Sequence, residues 1–356
     1  MSKAEVRTRL LPESEFDDWN RFVGGSPDGS IYSSSGYLDA LCTAAGGRFR
    51  VLIAHQGDEI LGGIGLYERD TRFGAFVSPR LLLYYNGPVL RRYDTRYPSR
   101  ETSRRLKALA ALESGIAQMG YLSMALKARG TLIDARPFLA RGWSARVGYS
   151  YVVRIDDLEA AWAKVEQNLR RLVGRCERES ISFTDDDDFD SFFRLHAATM
   201  ERNDAQVYLP RTSFHRFFLT LRQSNLCRLY QARLPDGRTI ASQLVLLGDH
   251  PTTHTVSAGG DPEFMGTGAS AFLRWRVFEA LSALGYAMND LTDASLNQVT
   301  QFKAQLGGDL DLWLEVYRPQ TRGYRFGSSV GDVVARARGV IGGVLRRGVG
   351  QIRRGT

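Results

Sequence analysis

Residues 285–308 read GYAMNDLTDASLNQVTQFKAQLGG. Gly285 opens a turn, and a short apolar strand follows that ends at Asp290 and Leu291. A helix then carries Phe302 and Lys303. Gly307 and Gly308 stop that helix, because glycine takes the left-handed C-cap conformation without steric cost. The spacing places a cation, Lys303, near the carboxyl end of a strand, which is where open α/β sheets bind ligands. An amphipathic helix with a solvated lysine is the alternative.

Outward from this stretch, two segments share one plan. A helix-like run over 35–45 leads into RFRVLIAHQGDEILGGIGLYER (48–69), and another over 212–222 leads into CRLYQARLPDGRTIASQLVLLG (227–248). In each, apolar-rich strands flank a turn, Gly57-Asp58 or Asp236-Gly237, which is a hairpin signal. Internal duplication of one α/β unit explains both, with chance likeness of two hairpins as the alternative. Between them lie the run LLLYYNGPVL (81–90), an expected helix over 101–119 and expected strands over 121–127 and 149–155. The mixture predicts α/β architecture with a mixed sheet. Three segments are expected: 1–150, 151–320 and a tail, 321–356.

The second half should open on one helix over 158–179, with Trp162, Val165, Leu169, Leu172, Val173 and Cys176 on its apolar face. Arg171, Arg175 and Arg178 stand at i, i+4 and i+7 on the other face. Such a row suits phosphate, and a solvated face relieved by Glu166, Glu177 and Glu179 is the alternative. The run Asp185–Asp188 lies between an expected strand and helix, where acids cap an N-terminus, so it is read as capping rather than metal binding.

The chain has 356 residues, 43% hydrophobic and 24% charged, as in a globular protein of two ordinary domains. No apolar run approaches the roughly 18 residues of a membrane span. The N-terminus lacks an apolar signal core, so a cytoplasmic location is expected. Cys42, Cys176 and Cys227 are far apart and read as buried small residues, and the five histidines show no ligand spacing. No metal is expected. Of the net charge of +8, the eight arginines and one acid from Arg322 onward contribute 8 − 1 = +7, which leaves +1 for the body. The tail has a basic amphipathic pattern that suits the inner face of an anionic membrane or RNA, and its glycines make disorder equally compatible.

YYNGPVL, RPF…RGW, NLRRL, TMERN and the Phe-Lys…Gly-Gly segment occur in the order found in Fem-type (FemAB-like) aminoacyltransferases of the GNAT superfamily, which this chain resembles from about residue 30 to residue 317. The resemblance implies tandem GNAT-like domains, each a mixed, mostly antiparallel sheet flanked by helices. It implies transfer of an aminoacyl or acyl group to an amine, with aminoacyl-tRNA as donor and a peptidoglycan precursor or other anionic or lipid-linked acceptor. Lys303 matches the lysine that steadies the oxyanion, and Asp290 would orient it or take a proton. Arg170, Arg171, Arg175, Arg202 and Tyr208 would hold the acceptor or the phosphates. Gly266 and Gly268 open a helix where GNAT enzymes bind the donor pyrophosphate. Glu263 stands where those enzymes carry Arg or Gln, and a carboxylate there repels pyrophosphate. Two alternatives are an acyl-CoA-dependent N-acetyltransferase of surface polysaccharide assembly and a non-catalytic protein that docks membrane or RNA. No bound cofactor and no DNA partner are expected.

Overall fold

The computed structural model describes residues 5–80, 82–294 and 298–318, so the expected tail at 321–356 lies outside the described residues. In chain order the strands are β1 (Arg7–Leu10), β2 (Arg48–Gln56), β3 (Glu59–Thr71), β4 (Gly74–Val77), β5 (Val89–Leu90), β6 (Ser123–Ala128) and β7 (Ser144–Arg154). They continue with β8 (Ser182–Thr184), β9 (Cys227–Arg233), β10 (Thr239–Leu246), β11 (Thr252–Gly260), β12 (Met288–Asp290) and β13 (Asp309–Arg318). All join one sheet in the order β1-β2-β3-β4-β6-β13-β7-β12-β11-β10-β9-β8, with β5 on β3. Pairing is antiparallel except at β4–β6 and β11–β12. This is the expected mixed, mostly antiparallel sheet.

The helices are α1 (Phe16–Gly25), α2 (Ser35–Ala45), α3 (Pro98–Gln118), α4 (Arg136–Leu139), α5 (Leu158–Lys164), α6 (Gln167–Arg178), α7 (Phe189–Arg202), α8 (Arg211–Gln223), α9 (Ala269–Ala283) and α10 (Gln298–Gln305). The two hairpins, β2–β3 and β9–β10, each follow a helix, α2 or α8. Those helices pack on each other, with the Tyr37 and Phe217 rings 5.7 Å apart. A single apolar core therefore joins the halves, with Leu38, Leu41, Phe214, Leu229 and Leu244 in one cluster. On the opposite face α3 covers Leu52, Ile64 and Leu126, while α9 covers Ala232, Ala241 and Val245.

The halves also exchange strands. β13 comes from the end of the described chain yet lies between β6 and β7, pairing antiparallel with both. β7 itself runs through residue 150, where the two segments were expected to meet.

One local expectation needs correction. The helix expected over 158–179 is two helices, because Val165 is extended (ψ 130) and the Glu166 N–H leaves the helical ladder to donate to Gln305 O at 2.9 Å. Among its described residues, the run 81–90 is a strand only at β5. Leu82 is left-handed (φ 66), and Asn86 pairs its amide with Ala125 O and the Lys127 N–H, so the segment docks on β6 through a side chain. A Cβ at Gly87 would lie 2.7 Å from Ala128, so only glycine allows this approach. The kink delivers Tyr84 and Tyr85 to the centre of the molecule.

Candidate active site

The site is built on the short strand β12. It pairs with β11 only over Thr252–His254, so Thr255–Gly260 of β11 continue without it. β11 also carries a bulge opposite Leu244 and Val245. Such irregularities open a sheet edge beside a ligand.

Past Asp290 the backbone turns through Thr292 (φ 52) and Asp293 (φ 40), both left-handed. A β-branched residue there is strained and needs outside support. Asp290 gives it by accepting from the Thr292 N–H at 2.7 Å, and Lys303 by donating from Nζ to Thr292 O and, at 2.7 Å, to Asp293 O. The Asp293 N–H donates to the Tyr84 hydroxyl at 2.7 Å.

Asp290 is wholly buried and also accepts from the hydroxyls of Tyr85 (2.9 Å) and Ser150, with His254 Nδ1 at 3.4 Å. Burial alone raises a carboxyl pKa, but His254, Ser150 and the charge of Arg129 outweigh it and hold Asp290 well below the usual carboxylate range. His254 is driven down by its own burial. Asp290 is thus an ionised anchor for the loop that Lys303 grips.

Lys303 is 8% exposed, and its pKa is lowered to about 8, first by burial and then by the charge of Arg274. Arg274 is itself buried on α9, pushed down to about 10 by desolvation, and its Nη1 has no hydrogen-bond partner. No ion pair reaches either cation among the described residues. Two buried cations side by side make a strong positive field in a low-dielectric place.

That field borders a cavity of about 440 Å³. Its walls include Leu169 and Leu172 of α6, Thr199 and Arg202 of α7, Gln243, Gly268 and Arg274, with Phe302 beside Lys303. Thr199 Oγ1 and Gln243 Oε1 lack partners as well. Buried polar atoms without partners in a cavity wall mark a place where a ligand can supply them.

Gly268 is the N-cap of α9 at φ 92, without a side-chain cap. A Cβ there would lie 2.6 Å from the Leu172 side chain, so glycine is required for both conformation and space. Gly266 is exposed on the same approach. Glu263 is held by Arg238 at 2.9 Å, so its charge is paired rather than aimed at the helix mouth.

Arg202 and Gly268 line the cavity, while Asp290 and Lys303 both hold the Thr292–Asp293 turn, and Phe302 next to Lys303 is part of the cavity wall. Tyr208 packs on His196: its ring meets that residue edge-on at 4.7 Å, and its pKa is raised by burial and by the Asp293 charge. His196, lowered to about 4 by burial, accepts from the Tyr208 N–H through Nε2, so Nδ1 carries the proton toward Ser257 Oγ. The other arginines sit apart from the cavity lining. Arg170 is half-buried, Arg171 is exposed, and Arg175 is exposed and paired with Glu179 at 2.7 Å. The acidic run caps and pairs, since Asp188 accepts from the Ser191 N–H at the start of α7 and each of the four meets an arginine.

Sequence reasoning missed Arg274, Gln243, Thr199 and Lys127. Arg274 alone left a visible signal, an arginine inside the apolar run ASAFLRW. Lys127 of β6 is 7% exposed, with Nζ 3.2 Å from the Tyr84 ring centroid and 4.2 Å from that of Trp313, and burial lowers its pKa to about 8.

A family model described as an acetyltransferase (GNAT) domain matches residues 163–304. The structure is similar to the crystal structure of FemX at 12% identity and a TM-score of 0.70, covering 86% of this chain and 96% of that one. It is similar to L-PGS from Bacillus licheniformis at 13% identity and a TM-score of 0.56, covering 91% and 96%. A tandem GNAT protein from the clavulanic acid biosynthesis pathway is similar at 14% identity and a TM-score of 0.52, covering 89% and 100%. No curated protein sequence matches the chain. The likeness to solved structures carries the fold, and the family model matches the second half of the chain. Residues 163–304 match a GNAT acetyltransferase domain, and the fold is like those of FemX and of a tandem GNAT protein.

Proposed function

We propose that the chain is an N-acyltransferase that moves an aminoacyl or acyl group from an activated ester to an amine. Aminoacyl-tRNA is the favoured donor and a cell-envelope precursor the favoured acceptor. The likeness to FemX supports this, as does one to the C-terminal domain of a putative lysylphosphatidylglycerol synthetase from Agrobacterium fabrum, at 13% identity and a TM-score of 0.54 over 83% of this chain.

One observation carries the reading: the Lys303 ammonium, next in sequence to Phe302 of the cavity wall and under the charge of Arg274, spends two donors on the Thr292 and Asp293 carbonyls. An ammonium has three, so one remains for an oxyanion. The neutral acceptor amine attacks the ester carbonyl carbon, forming the C–N bond and placing negative charge on the carbonyl oxygen beside Lys303. Collapse breaks the ester C–O bond, and the amine proton passes to the departing hydroxyl. Asp290 acts as a positioning residue through the loop that Lys303 grips. Arg202 and Tyr208 would meet the acceptor, and Arg170, Arg171 and Arg175 would meet phosphate outside the cavity.

An acyl-CoA donor is the second reading. The uncapped α9 mouth at Gly268 and the pairing of Glu263 with Arg238 favour it, because both leave Gly266 and Gly268 open to a pyrophosphate. We take residues 1–150 and 151–320 as the duplicated units, in a cytoplasmic protein that contacts membrane through its tail. Among the described residues no helix is long and apolar enough to cross a membrane.

Single-turnover assays of the Lys303→Ala variant with charged tRNA and with acyl-CoA test this. The expected result is loss of at least about 100-fold with the productive donor, the scale of one oxyanion donor, with the fold intact. Near-normal turnover by the variant would remove Lys303 from the chemistry.

A further inference from the structure

The body of the chain is nearly neutral, yet one of its segments is not. Residues 91–107, RRYDTRYPSRETSRRLK, hold seven cations and two acids, giving 7 − 2 = +5. With 322–356 contributing +7, the other residues sum to 8 − 7 − 5 = −4. The segment forms the approach to α3 and its first turns. Arg91 pairs with Glu59 and Arg105 with Asp28, whereas Arg92, Arg96, Arg100, Arg104 and Lys107 are exposed and have no ion pair among the described residues. Cations crowded into the first turns of a helix oppose its macrodipole, so fold stability does not favour them there.

Of these cations, Arg104 and Lys107 line a groove of about 1130 Å³ between α3 and β1–β3, with Arg92, Arg96 and Arg100 in the chain leading to it. Arg7, Tyr93 and Arg141 line it too, and its two carboxylates are paired, Glu5 with Arg7 and Glu59 with Arg91. Tyrosines interleave with the guanidiniums: Arg100 lies 4.7 Å from the centroid of Tyr97, and Arg104 4.9 Å from that of Tyr93. Tyr97 is 49% exposed, and the Tyr93 hydroxyl has no partner.

The helix that walls the groove, α3, covers the same sheet face as α9, which carries Arg274 of the candidate cavity. Leu314 and Val316 of β13 belong to the core under α3, and they pair opposite Val147 and Ala145 of β7. Odd-numbered residues of β7 therefore point to α3's face, and Val153 among them belongs to the core under α9. Six strand spacings separate β3 from β11, which is roughly 30 Å.

We infer that this groove of the N-terminal half, together with the basic segment that leads to it, is a docking surface for RNA. It holds the phosphate backbone while the end of the strand reaches the cavity on the same face. RNA fits better than a lipid surface because the cations line a concave groove, stack with aromatic rings and carry no exposed aliphatic anchor within 91–107. The inference rests on the reading of an RNA-borne donor, and its test needs no turnover.

The test is filter binding of the full chain to an RNA hairpin with an unpaired 3′ tail, across a salt series. The Arg104→Gln/Lys107→Gln double variant is compared with an Arg72→Gln/Arg216→Gln double, which removes the same charge elsewhere. Vesicles of phosphatidylcholine and phosphatidylglycerol serve as the second probe. The groove variant should bind RNA about tenfold more weakly at ~0.1 M salt, with the salt slope shallower by about 1–2, while the other double stays within about twofold of the parent. Equal losses in both doubles, no RNA binding by the parent, or a groove-dependent loss seen with vesicles and not with RNA would each overturn the docking surface. If RNA is not bound while Lys303→Ala still abolishes transfer from acyl-CoA, docking has failed and acyl transfer stands.

Discussion

Lys303 and Lys127 show how one residue type, buried twice, comes to titrate near neutrality. Each loses hydration, and neither gains a carboxylate in direct contact, so both fall to about 8 from 10.5. For Lys303 the sign follows. Its folded pKa lies below the unfolded one, so folding favours the neutral form, and stability rises with pH between about 8 and 10.5. Oxyanion stabilisation needs the charged form, so transfer should fall as pH rises through about 8. Lys303→Arg should retain some activity and lose that alkaline limb, since guanidinium stays protonated. A pH–rate profile of Lys303→Arg that still bends near 8 would assign the limb elsewhere. Lys127→Met, which keeps the bulk under Tyr84 and Trp313, should leave the limb in place.

At the scale of elements, the α9 entrance depends on one glycine. Gly268→Ala must adopt φ 92 and place a Cβ 2.6 Å from Leu172, so urea unfolding should show a loss of about 1–3 kcal/mol. Gly266→Ala has nothing within 4 Å and should cost less than about 0.5 kcal/mol. Equal effects would mean that the loop is not packed as described. At the start of α7, Asp188 caps the Ser191 N–H and pairs with Arg233 at 3.1 Å. Asp188→Ala should cost about 1–2 kcal/mol in the same measurement, mostly from the cap.

Across the whole molecule, β13 and the α2–α8 contact tie the halves into one sheet and one core. Phe217 is fully buried at that contact, so Phe217→Ala should cost about 3–5 kcal/mol. Trp19 of the first half and Trp275 of the second are both buried. Tryptophan fluorescence and far-ultraviolet circular dichroism should therefore report one coincident transition. Two separated transitions would show that the halves unfold independently.

Much of this was legible in the sequence, because its signals are short-range. The hairpins at Gly57-Asp58 and Asp236-Gly237, the helices over 35–45 and 212–222 and the strand-to-helix stretch at 285–308 follow from turn chemistry and periodicity within a few residues. The positions of Asp290 at a strand end and Lys303 in the next helix were read the same way, while the roles given to them came from the resemblance. The docking of 81–90 on β6, through the side-chain amide and backbone N–H of Asn86, is a contact that no period reveals. Only the tertiary structure placed β13 between β6 and β7, seated Lys127 under two aromatic rings and set Arg274 against Lys303. Those arrangements join residues far apart in the chain. Their cause is the exclusion of water from a packed interior, where charge and burial act through space and leave no spacing in the sequence.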